Sequence, residues 1–90
     1  MKLSCDVCIK NPLGLHARPA MEIVRVLQHS RSAVSVTLEN RTIDARSIIS
    51  LLSLAAPQNA ILKVTVEGED APLTMKNLLL VLSQHPSNPS

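Results

Sequence analysis

The stretch NPLGLHARPA, residues 11–20, separates two hydrophobic periodicities and thereby decides how the chain folds. Before it, apolar residues alternate with polar ones from Leu3 to Ile9, which is the period of a strand with one buried face. Pro12 and Gly14 then interrupt the alternation, because both residue types favour turns. The stretch therefore ends a strand and leads into an element of a different type.

An amphipathic helix follows from Ala17 to about Gln28, because apolar residues recur there at intervals of three and four. Its predicted buried positions are Ala20, Met21, Val24 and Leu27. The rest of the chain shows the same two periods and predicts three more strands and two more helices. In chain order these are a strand over 34–38, a hairpin turn over 39–41, a short strand over 42–45, a helix from Ser47 to about Leu54, a strand over 62–66, and a last helix that Asp70 can cap, with Leu78, Leu79 and Leu82 buried.

The order of elements predicts the fold class. Strand, helix, strand, strand, helix, strand, helix is the split β-α-β arrangement, with a hairpin between two crossovers. Strands with one apolar face each favour an antiparallel sheet with its helices on one side and water on the other. We therefore expect an α+β domain with a four-stranded antiparallel sheet and three helices on one face (βαββαβα).

The composition excludes several kinds of function. The 90 residues include no Phe, Trp or Tyr, so the chain cannot bind single-stranded nucleic acid by stacking bases on aromatic rings. The net charge of +2 is too small to indicate a polyanionic partner. No apolar run approaches the roughly 20 residues of a membrane span, and the N-terminus lacks the continuous apolar core of a signal peptide. We expect a cytoplasmic protein that binds no nucleic acid and does not insert into membranes.

The motif CDVC, residues 5–8, has the spacing of redox and zinc sites but lies in the first predicted strand. Three residues of strand span about 10 Å and turn the two thiols to opposite faces. A disulfide needs α-carbons within about 7 Å of each other. We therefore expect two reduced thiols, Cys5 facing inward and Cys8 outward, and no metal site.

His16 occupies the cap position of the first predicted helix, where Ser, Thr, Asp or Asn is usual. The start of a helix offers free N–H groups and the positive end of the helix dipole, which attract anions. Arg18 adds a guanidinium that matches phosphate geometry, and Pro19 biases Arg18 away from helical geometry. The residues indicate a histidine that accepts a phosphoryl group and gives it up again. On spacing alone, a surface histidine that caps a helix explains the motif equally well.

The motif GLHARPA, together with this order of elements and the EGED turn before the last helix, resembles the HPr family, the histidine-containing phosphocarriers of the bacterial phosphoenolpyruvate:sugar phosphotransferase system. The resemblance implies an open-faced β-sandwich, which we place at residues 1–84. The residues 85–90, HPSNPS, have no means of folding, so we expect a disordered tail there. It implies that His16 receives phosphate on Nδ1 from enzyme I, with Arg18 as its partner, and passes it to the A domain of a sugar-specific enzyme II. It implies a monomer without a cofactor.

A second block, DARSIISLLSLAA, resembles the family segment in which a serine opens the second helix. Ser47 takes that position, which implies control by a serine kinase/phosphorylase. A serine that only caps the helix explains the residue equally well. A phosphate there would lie beside an apolar docking patch for partner proteins. Ser50 and Ala55 stand where relatives often have glycine, and we expect them to stiffen the helix and to weaken recognition by partners from other species. The candidates for the patch, some of which should be exposed, are Ile48, Ile49, Leu51 and Leu52.

Two other functions remain open at this point. A nitrogen-branch regulatory phosphocarrier would use the same histidine for regulation rather than sugar transport. A regulatory adaptor would be controlled through Ser47, with His16 secondary. Adaptor relatives that have lost transport tend to lose the histidine, and here it is present.

Overall fold

Four strands and three helices follow one another along residues 1–83, the part of the chain that the computed structural model describes. Their order and types are those that the sequence predicts, so the α+β fold class is confirmed. The tail predicted over 85–90 lies outside the described residues. The elements are β1 (Lys2–Cys8), α1 (Ala17–Gln28), β2 (Ala33–Leu38), β3 (Arg41–Asp44), α2 (Ile48–Ser53), β4 (Ile61–Glu67) and α3 (Ala71–Ser83).

The strands form one antiparallel sheet in the order β1-β4-β2-β3. Alternation gives this sheet two different faces. Val64 and Val66 of β4, in the centre, are buried in the core. On the opposite face exposed hydroxyl groups form hydrogen bonds with one another. The side-chain oxygens of Ser4 and Thr65, for example, are 3.1 Å apart. The helices cover the apolar face only, which leaves the sheet open on its other side.

The core consists of aliphatic side chains from the sheet and all three helices. One predicted core position of α1 is wrong: Met21 is 52% exposed, while Ile23 is 1% exposed. Both residues lie at the edges of the apolar stripe, and the rotation of the helix about its axis decides which edge faces the sheet. The buried residues of α1 are Ala20, Ile23 and Leu27.

Asp70 precedes α3 as predicted, but its carboxylate binds a different segment. Its backbone carbonyl accepts the first bond of the helix, from the N–H of Thr74 at 2.9 Å. The carboxylate instead accepts hydrogen bonds from the Ser32 hydroxyl, the Arg31 amide at 2.9 Å and the Ser30 hydroxyl at 3.4 Å. These bonds, with Ser32 first, lower the pKa of Asp70 because they stabilise the ionised form. Asp70 therefore fastens the start of α3 to the loop between α1 and β2.

Cys5 and Cys8 lie in β1 as predicted, and both are free thiols. Cys5 packs against the core, whereas Cys8, opposite Ile61 at the end of the strand, does not belong to that cluster. Both are only half-buried, so the contrast between them is smaller than strict alternation predicts. Within residues 1–83, no helix has the length and apolar character needed to cross a membrane.

Candidate functional site

His16 is the N-cap residue of α1, with extended backbone angles (φ −102°, ψ −169°). Its carbonyl oxygen accepts the first helical hydrogen bond, from the N–H of Ala20 at 3.1 Å. Within the described chain its imidazole makes no capping bond to the helix. The ring is half-buried, so it remains accessible. The residue therefore starts the helix through its backbone and leaves its ring available for another purpose.

The approach to His16 is fixed by Gly14, which has a positive φ of 70°. A Cβ at this position would also overlap the carbonyl oxygen of Ala56, in the segment after α2. The next residue, Leu15, donates its N–H to the same oxygen at 2.8 Å. Only glycine permits this close approach. The loop that carries His16 is thus attached to the end of the α2 region.

Asn11 contacts the imidazole directly, which the sequence analysis did not foresee. Its Nδ2 lies 3.2 Å from Nε2 of His16. Its Oδ1 accepts the N–H of Leu13 at 2.9 Å, and its backbone oxygen accepts the N–H of Gly14 at 2.8 Å. An Asn followed by Pro is typical of the start of a turn, so the turn itself could be predicted. The contact of Asn11 with His16, five residues later, has no signature in the sequence.

Arg18 is exposed in the first turn of α1, two residues after His16. It adopts helical geometry even though Pro19 follows it, so the predicted bias away from the helix is overridden. The first N–H groups of α1, on Ala17 and Arg18, have no acceptor within the helix. The half-buried His16, the free amides and the exposed Arg18 thus all belong to the N-terminal end of one helix, which is its positive end. Groups of these kinds favour an anion.

Ser47 is the N-cap of α2, so it opens the second helix as predicted. Its hydroxyl oxygen accepts the N–H of Ser50 at 3.2 Å. The preceding residue, Arg46, donates to three carbonyl oxygens at the end of α1 and in the following loop, at 2.7, 3.0 and 2.8 Å. The start of α2 is thus fixed to the end of α1.

The predicted docking patch on α2 is partly wrong. Ile49 and Leu52 are exposed, at 77% and 39%. Leu51 is fully buried in the core, and Ile48 is half-buried against it, because a helix that lies on a core must turn one side inward. The exposed apolar side chains of α2 are therefore Ile49 and Leu52 alone, with exposed Leu13 and Met21 on the His16 loop and α1.

Ala55 has a different role from the one predicted for it. α2 ends at Ser53 with Leu54 as its C-cap, so Ala55 lies after the helix and cannot stiffen its interior. It has a positive φ of 52°, the left-handed conformation that glycine usually supplies at the end of a helix. Alanine here is strained rather than stiffening. Ser50 does lie within α2, as predicted.

Comparison with known proteins identifies the family. The family model described as "PTS HPr component phosphorylation site" matches residues 3–84. The phosphocarrier protein HPr of Xylella fastidiosa (strain Temecula1) is 32% identical over 76 residues, which cover 84% of this chain and 85% of the relative.

Two solved structures share the fold. The phosphocarrier protein HPr of Bacillus anthracis superposes with a TM-score of 0.84 at 26% identity, over 91% of this chain and 98% of that one. Crh, the catabolite repression HPr of Bacillus subtilis, superposes with a TM-score of 0.71 at 25% identity, over 93% of this chain and 98% of that one.

Proposed function

The chain belongs to the HPr family of phosphotransferase-system phosphocarriers, and on that premise we propose that His16 accepts a phosphoryl group from enzyme I and passes it to the A domain of a sugar-specific enzyme II. The observation that carries the proposal is the position of His16. It caps α1 through its backbone alone, so the half-exposed ring is available to a partner.

The site favours a reversible transfer. Unprotonated Nδ1 of His16 forms a bond to phosphorus while the bond between phosphorus and the donor breaks, and the proton that the ring gives up ends on the donor's leaving atom. The dianion then lies at the positive end of α1, where the amides of Ala17 and Arg18 can donate to its oxygens. The exposed guanidinium of Arg18 can add a charge-assisted bond. These contacts stabilise the phosphoryl group without enclosing it, so a second protein can remove it.

The test is incubation of the protein with enzyme I and phosphoenolpyruvate. We expect one phosphoryl group per chain, labile in acid and stable in alkali. His16→Ala should abolish labelling while circular dichroism stays unchanged. His29→Ala is the matched control, because His29 is an exposed histidine at the other end of the same helix. Full labelling of the His16 variant would refute the assignment.

Arg18 is tested by the rate of transfer rather than by its extent. Arg18→Ala should still become phosphorylated but should transfer the group more slowly in both directions, because a matched cation at a developing charge lowers the barrier. Arg25→Ala removes an exposed cation from the last turn of the same helix and serves as the control. Equal rates in both variants would show that the amides suffice.

The rate at which each branch's enzyme I phosphorylates the protein distinguishes the sugar branch from the nitrogen branch. The protein is incubated in parallel with the enzyme I of each branch at limiting concentration. Faster phosphorylation by the sugar-branch enzyme supports the proposal, and the reverse preference assigns the chain to nitrogen regulation.

We also propose that Ser47 is a site of regulatory phosphorylation. Support comes from its place at the N-terminus of α2, where a phosphate is favourable, and from the exposed side chain of Ile49 beside it. An HPr kinase with ATP should label wild type and a Ser53→Ala control but not Ser47→Ala. Two results together would instead identify an adaptor. Phosphorylation of Ser47 would cause the chain to bind another protein, and His16→Ala would have no effect on transport.

A further inference from the structure

The side chain of Asn11 is held in one orientation by the turn that it begins. Its backbone oxygen accepts the N–H of Gly14 at 2.8 Å, and Pro12 restricts the backbone between them. Its Oδ1 accepts the N–H of Leu13 at 2.9 Å. A backbone N–H can only donate, so the oxygen of the carboxamide must face Leu13 and the nitrogen must face away from it.

That nitrogen, Nδ2, lies 3.2 Å from Nε2 of His16. An amide NH₂ group is a donor without acceptor capacity. Nε2 must therefore supply the lone pair, and a neutral ring in this contact carries its proton on Nδ1. The alternative tautomer, with a proton on Nε2, would bring two donors together.

From this geometry we propose that Asn11 is a positioning residue that keeps Nε2 of His16 unprotonated, both in the free ring and after phosphorylation. This inference rests on the proposed function for its second half. Nδ1 attacks phosphorus only with its own lone pair, so the proton on Nδ1 must first move to Nε2 through solvent. After the attack that proton is lost from Nε2 and ends on the atom of the donor whose bond to phosphorus breaks. The bond from Asn11 to Nε2 is therefore interrupted during the attack and forms again on the neutral phosphorylated ring, where it holds the ring in one orientation.

The same bond protects the product. Protonation of Nε2 makes a phosphorylated imidazole a better leaving group, and a donor on that nitrogen opposes protonation. Asn11 therefore prolongs the life of the phosphoryl group against water while leaving Nδ1 open to a partner protein.

The experiment is long-range ¹H–¹⁵N NMR of the imidazole in the free protein, at a pH where the ring is neutral, on wild type, Asn11→Ala and Asn11→Asp. We expect the ratio of Nδ1–H to Nε2–H tautomers in wild type to exceed that in Asn11→Ala about fivefold, the factor that a net hydrogen bond of about 1 kcal/mol gives. In Asn11→Asp the ratio should fall below that of wild type and of Asn11→Ala. A carboxylate can still accept the N–H of Leu13, but it has no hydrogen to donate to Nε2 and so favours a proton on that nitrogen.

Backbone amide shifts of Gly14 and Leu15 report whether the loop is intact. If Asn11→Ala loosens it, the comparison of wild type with Asn11→Asp decides alone. A ratio in wild type that is equal to or lower than in Asn11→Asp would overturn the proposal. This measurement needs no partner, so it can fail while phosphorylation of His16 succeeds, or the reverse.

The phosphorylated protein supplies a second readout. At a fixed neutral pH, phosphorylated Asn11→Ala should hydrolyse up to about fivefold faster than wild type, by the same hydrogen-bond factor. Equal half-lives would overturn the part of the proposal that concerns the phosphorylated ring.

Discussion

Replacing Ala55 with glycine should stabilise the protein. Ala55 follows the C-cap of α2 with a φ of 52°. An L-residue in this left-handed conformation costs about 1–2 kcal/mol, which glycine avoids. Glycine also gives the unfolded chain more conformational entropy, which lowers the free energy of unfolding by about 0.4–1 kcal/mol and offsets part of this benefit. Ala55 is exposed, so its methyl group contributes little burial. The midpoints of the two ranges leave a net rise of about 0.8 kcal/mol in the free energy of unfolding.

The assay is a pair of measurements, urea denaturation and a thermal melt. A domain of this size shifts its Tm by about 4–8 °C for each kcal/mol, so the variant should melt about 3–6 °C higher. Ala56→Gly is the matched control. Ala56 is 3% exposed and does not have a positive φ, so the same chemical change there should destabilise the protein by about 1 kcal/mol or more through lost burial and added chain entropy.

A valine at position 55 extends the test in the opposite direction. A β-branched side chain is less tolerant of positive φ than alanine, so Ala55→Val should melt lower than wild type. If Ala55→Gly is no more stable than wild type, the strain attributed to this residue does not exist in solution.

Three further changes test other parts of the structure. Ser47→Asp should weaken the apparent affinity for enzyme I in a transfer assay, less so at high salt, because a charge beside Ile49 must be desolvated on docking. Its free energy of unfolding should equal that of wild type or rise by about a few tenths of a kcal/mol. An unchanged affinity would leave Ser47 as a helix cap only. Cys8 should react faster with a thiol reagent than Cys5, which packs against the core, and equal rates would contradict the assigned faces of β1. The lowered pKa of Asp70 means that its stabilising effect is present above its ordinary value of 3.8 and is lost as the pH falls through the lower folded value. Asp70→Asn should therefore flatten the acid side of a curve of Tm against pH, and a curve of unchanged shape would argue against these hydrogen bonds.

The order of elements and the position of His16 could be predicted because both depend on local patterns. Alternation identifies β1, and a periodic stripe that begins after Gly14 identifies α1, whose bounds agree with the prediction. The error at Met21 has a physical cause. Periodicity defines an apolar stripe but not how the helix is rotated over the sheet, and that rotation depends on packing with distant residues.

Contacts that join distant segments were not predictable. The sequence places Asp70 before a helix, but its carboxylate binds a loop 38 to 40 residues earlier in the chain. The contact between Asn11 and His16 depends on the geometry of a turn and not on spacing. Leu51 and Ile49 are two residues apart and equally apolar, and only the position of α2 on the core makes one buried and the other exposed.

The sheet order has a consequence for how the protein is made. β4 lies between β1 and β2, and within the described chain β1 is hydrogen-bonded to β4 alone. A nascent chain on the ribosome thus exposes β1 without a partner until Ile61–Glu67 has emerged, and before then only the β2–β3 hairpin can pair locally. Pairing strands so far apart in sequence requires closing a long loop, which slows folding. We expect cooperative folding late in synthesis, so that nascent chains stalled before residue 61 remain sensitive to protease. Chains that carry an added C-terminal linker, long enough to bring residue 83 out of the ribosome, should be protected.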